Sequence, residues 1–147
     1  MADFVTEQMT IDATADEILA VLVDFERYPE WARDLKAVQV VSTDSQGRGR
    51  EVRFRAAAMG RSTHYTLHYD HEDPGRLSWK LIRGDLTRKL DGFYALGPTT
   101  DGHTVVNYQL EVELIVPLPG FVKRRSQSKI MHTALRELKA RVEGTNA

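Results

Sequence analysis

Thr104-Val105-Val106-Asn107-Tyr108-Gln109-Leu110-Glu111-Val112-Glu113-Leu114 alternates with almost no break. Val106, Tyr108, Leu110, Val112 and Leu114 fall on one face, and Asn107, Gln109, Glu111 and Glu113 on the other. A period of two with one apolar face is the mark of a half-buried strand. The strand is followed by Val116-Pro117-Leu118-Pro119-Gly120, and then by one amphipathic stretch that ends near Glu143. A sheet strand feeding a single long terminal helix identifies what covers the sheet. It also poses the question of whether sheet and helix meet tightly or enclose a cavity.

Working back toward the N-terminus, everything from Leu35 to Leu114 reads as antiparallel strand and turn. Val38 and Val40 mark one strand, and Val52, Phe54, Ala56 and Ala58 the inner face of the next. Tyr65, Leu67 and Tyr69 alternate with His64, Thr66, His68 and Asp70; Leu77, Trp79 and Leu81 follow. Asp73-Pro74-Gly75 is a turn in which proline presets φ and glycine permits positive φ. Leu86, Arg88, Leu90, Gly92, Tyr94 and Leu96 share the next inward face, and Asp101-Gly102 closes the last hairpin. Ahead of these strands, Phe4–Ile11 reads as a first strand. Thr14-x-x-Glu17 is a capping box that opens a helix. Tyr28-Pro29-Glu30-Trp31 interrupts that helix, so two helices in tandem are expected, ending near Asp34.

The order is strand, two helices, six strands, long helix. Seven antiparallel strands with polar outer faces need one cover. The terminal helix, roughly 34 Å long for about 23 residues, is the only element that reaches. The expected fold class is α+β, a curved seven-stranded antiparallel sheet wrapped around the C-terminal helix, as one domain over residues 1–147.

Bulk properties narrow the function. The chain has 147 residues and a formal net charge of −1, so no global basic field points to nucleic acid. No apolar run approaches the ~20 residues of a membrane span. Met1-Ala2-Asp3-Phe4 lacks the basic and apolar regions of a signal peptide, which makes a cytoplasmic location the expectation. The absence of cysteine excludes disulfides, thiol catalysis and cysteine-zinc sites. No serine elbow, phosphate-binding glycine loop or zinc motif is present. No cofactor is expected, and the oligomeric state, monomer or dimer, stays open.

The element order resembles the helix-grip fold of the START-like superfamily, in its polyketide cyclase/dehydrase and lipid-transport branch. The resemblance spans essentially the whole chain. It is carried by Tyr28-Pro29-Glu30-Trp31, by Ala58-Met59-Gly60 at a hairpin, by Glu113-Leu114-Ile115-Val116-Pro117, and by Leu138-Lys139-x-Arg141-Val142-Glu143 at the helix end. It implies a container whose curled sheet and helix enclose a hydrophobic cavity for lipids, isoprenoids, sterols or polyketides. Some members are aromatase/cyclases and others carriers.

Within that frame, Arg88 stands out, because a guanidinium on a buried face is costly without a partner. Either it projects into the cavity to hold a ligand carbonyl, enolate or carboxylate, or a β-bulge turns it outward, or it forms a structural ion pair. Phe54, Tyr65, Tyr69, Trp79, Tyr94 and Tyr108 share the inner face, as ordinary core or as cavity wall with polar anchors. Ala56, Ala58 and Gly92 are small there, which fits empty space or a close backbone approach. On the terminal helix, Met131, Leu135, Leu138 and Val142 form a stripe that extends back through Arg124, Gln127 and Ser128. Candidate ligand contacts are therefore Phe54, Tyr65, Trp79, Arg88, Tyr94, Tyr108, Arg124, Ser128, Met131 and Leu135. Arg88, Tyr65 and Tyr94 are candidates for catalysis. His64 and His68 alternate on a strand, roughly 13 Å apart, too far to share a metal ion. Lys123-Arg124-Arg125 is a charged helix start, exposed to water or facing an anionic partner.

Three functions follow as expectations: a binding module for a small hydrophobic or aromatic ligand, an aromatase/cyclase or dehydratase acting on a poly-β-ketone, or a protein-interaction or chaperone module with a closed interior.

Overall fold

The computed structural model describes residues 3–58, 60–115 and 119–145. Met59 of the Ala58-Met59-Gly60 motif and Val116, Pro117 and Leu118 of the segment before the helix lie outside the described residues.

Strand β1 (Asp3–Ile11) leads to helix α1 (Ala15–Leu22) and a short 3₁₀ helix (Phe25–Glu30). Then come β2 (Leu35–Thr43), β3 (Gly49–Ala58), β4 (Arg61–Asp70), β5 (Arg76–Gly84), β6 (Thr87–Pro98), β7 (Thr104–Leu114) and helix α2 (Gly120–Thr145). The sheet is a single antiparallel one of order β1-β7-β6-β5-β4-β3-β2, so β1 and β2 are its edges. Element order, sheet and terminal helix follow the sequence expectation.

The capping box at α1 is complete. The Thr14 hydroxyl accepts from the Glu17 amide, and the Glu17 carboxylate accepts from the Thr14 amide. The second helix lies earlier than expected: it ends at Glu30 rather than near Asp34, and Pro29 is inside it, next to its last residue. Two anchors account for this. The Phe25 ring is fully buried, and the buried Tyr28 donates its hydroxyl to the Leu22 carbonyl, which pulls the turn onto the core.

Helix α2 contacts β1, β7 and α1. Met131, Leu135, Leu138 and Val142 are fully buried there. Polar ties fix its C-terminal half: Lys139 Nζ donates to the Thr10 carbonyl at 3.2 Å and Glu143 accepts from the Asp12 amide at 2.9 Å. Arg141 pairs with Glu30 at 2.9 Å. The helix thus sits over the β1–β7 side of a sheet that curls away from it. The inner faces of β3, β4 and β5 are left to be covered by their own aromatic side chains and by the 3₁₀ helix.

The chain also has a polarity along the strands. One end holds the β3–β4 turn, the β5–β6 loop, the start of β2 and the start of α2. The opposite end holds the β2–β3, β4–β5 and β6–β7 turns.

Candidate functional site

Between sheet and helix lies a cavity of about 190 Å³. Its walls come from Phe54 on β3, Tyr65, Leu67 and Tyr69 on β4, and Trp79 on β5. Leu90 and Tyr94 on β6 and Tyr108 and Leu110 on β7 complete the sheet side. Tyr28 and Trp31 close it from the segment after α1. The mouth runs between Ala32, Asp34 and Leu35 on one side and Ile130, Thr133, Ala134 and Glu137 of α2 on the other. A bond from the Arg33 amide to the Glu137 carboxylate, 3.2 Å, spans that mouth.

The wall is a continuous aromatic belt. Phe54 stacks on Tyr65 with ring centroids 5.1 Å apart and planes 17° apart. Tyr69 and Trp79 lie 5.8 Å apart, Trp79 and Tyr94 5.3 Å, and Tyr94 and Tyr108 4.4 Å. Tyr28 bridges Trp31 and Phe54. Such pairs add about 0.5–1.5 kcal/mol each beyond the area they bury, so the wall is rigid as well as apolar.

All five tyrosines of the chain, and both tryptophans, are in this wall. Burial pushes the pKa of every one of these phenols well above its ordinary range. Their hydroxyls also feel one another: Tyr69 is raised further by Tyr28, Tyr65, Tyr94 and Tyr108, which places the phenol groups in one neighbourhood. They stay protonated through the physiological range and cannot serve as bases; Tyr28 already donates to Leu22, and Tyr94 and Tyr108 bond to each other. The Tyr65 and Tyr69 hydroxyls have no hydrogen-bond partner among the described residues, and neither is sealed into the packing. They face the open space. Among the described residues no cation lines the cavity, and its charged groups, Asp34 and Glu137, are both acidic and both at the mouth.

The expected aromatic contacts Phe54, Tyr65, Trp79, Tyr94 and Tyr108 are brought together here, with Tyr69. The other candidates are not. Arg88 requires a correction: it is exposed, because a β-bulge between Thr87 and Lys89 inserts it as the extra residue opposite β7. The bulge moves Thr87 into register with inward-facing Leu114, and turns Arg88 away from the interior. Met131 and Leu135 are fully buried core residues and do not reach the cavity. Arg124 is exposed, and Ser128 donates to Glu7 on β1 at 3.2 Å. Gln127 is buried and donates to the Leu110 carbonyl at 2.6 Å. The long apolar stripe of α2 packs on β1 and β7. The neighbouring stripe, Ile130, Thr133, Ala134 and Glu137, faces the cavity. Its i, i+3, i+4, i+7 spacing is visible in the sequence, but its mixed polarity hides it beside the stronger stripe.

Gly92 also resolves against empty space. A Cβ there would lie 2.3 Å from the Gln109 carbonyl oxygen and 2.9 Å from the Trp79 ring. Its role is close approach, which admits the Trp79 indole and the β7 backbone next to β6. His64 and His68 are exposed on the outer face; His64 lies 3.3 Å from Asp85. No group of three metal-ligating side chains occurs among the described residues. No described helix is long and apolar enough to cross a membrane.

Comparison with known proteins agrees with this geometry. The chain superposes on a START superfamily protein from Mycobacterium smegmatis with a TM-score of 0.92, at 22% identity, covering 97% of this chain and 98% of that one. The Zhui aromatase/cyclase from a Streptomyces species gives 0.83 at 13% identity, covering 97% and 94%. A STAR-related lipid transfer protein from Xanthomonas axonopodis gives 0.71 at 16% identity, covering 95% and 85%. At these identities the likeness is one of fold. No curated protein matches the sequence. A family model described as polyketide cyclase / dehydrase and lipid transport matches residues 3–143. With nearly the whole chain matched and the sheet-and-helix architecture in place, this protein belongs to the polyketide cyclase/dehydrase and lipid transport family.

Proposed function

We propose that this protein binds a small neutral hydrophobic or aromatic molecule, of lipid, isoprenoid or polyketide-like character, in the cavity between sheet and α2, for transport or presentation. The observation that carries the reading is the convergence of all five tyrosines and both tryptophans on one cavity, with two hydroxyls facing its space unpartnered. An aromatic wall supplies apolar contact, and a few hydroxyls fix a ligand carbonyl, hydroxyl or ring oxygen. Neutrality follows from the charges. A buried anion would find no cation in the wall and two carboxylates at the mouth, which makes it costly to hold.

The volume bears on size. Pockets for drug-sized ligands measure about 300–1,000 Å³, against about 190 Å³ here. A single-ring or short-chain molecule suits the cavity as it stands. A longer chain would extend through the mouth beside Ile130. The cyclase alternative would use the same wall, with Tyr65 or Tyr94 donating to a carbonyl. It lacks an inward Arg88, and among the described residues its only carboxylates are at the rim.

Because both tryptophans line the cavity, intrinsic fluorescence reads occupancy directly. Titration with 1-naphthol or a short isoprenoid alcohol is expected to give saturable quenching, and native mass spectrometry a one-to-one complex. Failure of every neutral hydrophobic probe to bind would overturn the reading.

A further inference from the structure

We propose that the end of the sheet carrying the β3–β4 turn, the β5–β6 loop and the start of α2 docks on an anionic lipid bilayer. The chain is nearly neutral overall, yet its charge is sorted along the strands. At the opposite end, the turns between strands carry Asp44, Glu72, Asp73 and Asp101 against a single arginine, Arg48, which pairs with Asp44, and Asp12 follows β1. At the docking end, Lys36, Arg55 and Arg61 line one shallow depression with Ala57, Gly60 and Ser62. Arg83 and Arg88, both exposed, flank the β5–β6 loop, and exposed Arg125 stands in the first turns of α2. None of these six cations has a carboxylate within ion-pair distance among the described residues. Of the acidic residues at this end, Asp85 is held by Thr63 and the His64 amide, Glu113 is half-buried, and Asp3 starts β1 opposite Val112. Asp34 and Glu137 are at the cavity mouth.

Apolar side chains are exposed on the same end. Ile82 is 41% exposed, Ile115 43%, Val122 36% and Ile130 59%. Two bulges lie at this end: Ile82 is the extra residue on β5 opposite Thr66 and Leu67, and Arg88 the extra residue on β6. The β6 bulge turns outward Arg88, which strict alternation would turn in, whereas Ile82 is outward by its alternation with Leu77, Trp79 and Leu81. Apolar side chains scattered among unpaired cations, over several loops rather than in one groove, fit a bilayer interface better than a folded partner. Headgroups meet the cations, and the apolar tips reach the acyl boundary without requiring a matched shape. The end-to-end dipole orients the approach, acidic end outward. Lys36 follows directly on Asp34 and Leu35 of the cavity mouth, so docking brings the mouth near the lipid.

The surface is argued from charge and exposure and does not depend on what the cavity holds. Co-sedimentation of the full chain with vesicles tests it, using phosphatidylcholine alone and phosphatidylcholine with about a third phosphatidylserine. Binding to the anionic vesicles only, weakening as salt rises, is expected. The Arg55→Ser/Arg61→Ser double variant should lower the partition coefficient roughly twenty-five-fold, at about fivefold per basic residue. Ile82→Ser should weaken binding while leaving its salt dependence unchanged. Should the double variant not fold, Arg83→Ser/Arg88→Ser makes the same measurement. No binding to either vesicle, equal binding to both, or wild-type binding by the folded double variant would overturn the proposal. Retention on polyglutamate without vesicle binding would also overturn it, in favour of an acidic protein partner. Fluorescence titration of the same variants with 1-naphthol measures the cavity separately and should be unchanged.

Discussion

Alkaline pH should unfold this protein abruptly, because its five tyrosines share one enclosed cavity. Their ordinary acidity constant is 10.0, and burial raises each of them in the folded state. The native state therefore holds its phenolic protons more tightly than the unfolded chain does. The stability linked to these protons is fully present below pH 10 and is lost as pH rises past it. About one pH unit above that value, each tyrosine favours the unfolded chain by about 1.4 kcal/mol. Five together favour it by about 7 kcal/mol, comparable with the ~5–15 kcal/mol that holds an ordinary domain folded. The expected result is one cooperative transition between about pH 10.5 and 11.5. Phenolate absorbance, near-ultraviolet and far-ultraviolet circular dichroism should change together. Tyr69→Phe removes one phenol and keeps the ring, so it should move the midpoint upward. Phenolate absorbance rising gradually around pH 10, with near-ultraviolet dichroism intact, would refute the reasoning. It would mean that the hydroxyls reach bulk water in the folded state.

Other perturbations separate cavity, core and surface. Ala134→Leu places extra methyl groups at the cavity wall; it should weaken hydrophobic probe binding about tenfold or more, with a stability change under about 1.5 kcal/mol in denaturant unfolding. Gly92→Ala should destabilise by about 2 kcal/mol or more, read as a lower denaturant midpoint at unchanged slope, because its Cβ meets backbone and the Trp79 ring. Arg88→Ala should leave probe affinity unchanged in fluorescence titration, since the side chain is outside the cavity. Leu135→Ala should cost about 2–5 kcal/mol of stability, because that residue is fully buried core.

Much of the site was legible in advance, and the failures have specific causes. The inner-face aromatics were found from alternation alone, since parity along an unbroken strand fixes the face. For Arg88 the sequence left an inward side chain, an outward bulge and an ion pair open, and only the structure selects the bulge, because one extra residue in β6 reverses that parity and no local composition marks it. Met131 and Leu135 were identified as buried but assigned to the wrong neighbour. A helix presents several stripes, and periodicity identifies the most apolar one without saying what lies opposite it. Thr133, Ala134 and Glu137 were missed for the same reason, and Trp31 because it follows the 3₁₀ helix, where no strand parity fixes a face. The sorted charge was invisible to a net charge of −1, because only strand order tells which turns share an end.

By itself, then, the sequence determined the element order, the antiparallel sheet, its inner aromatic face and the terminal helix as cover. These depend on periods of two and 3.6 and on turn chemistry, which are local. The tertiary structure decided where the cavity lies, which face of α2 borders it, and where Arg88 and the unpaired cations sit. Those depend on bulges, on how far α2 shifts toward β1 and β7, and on contacts between residues far apart in the chain.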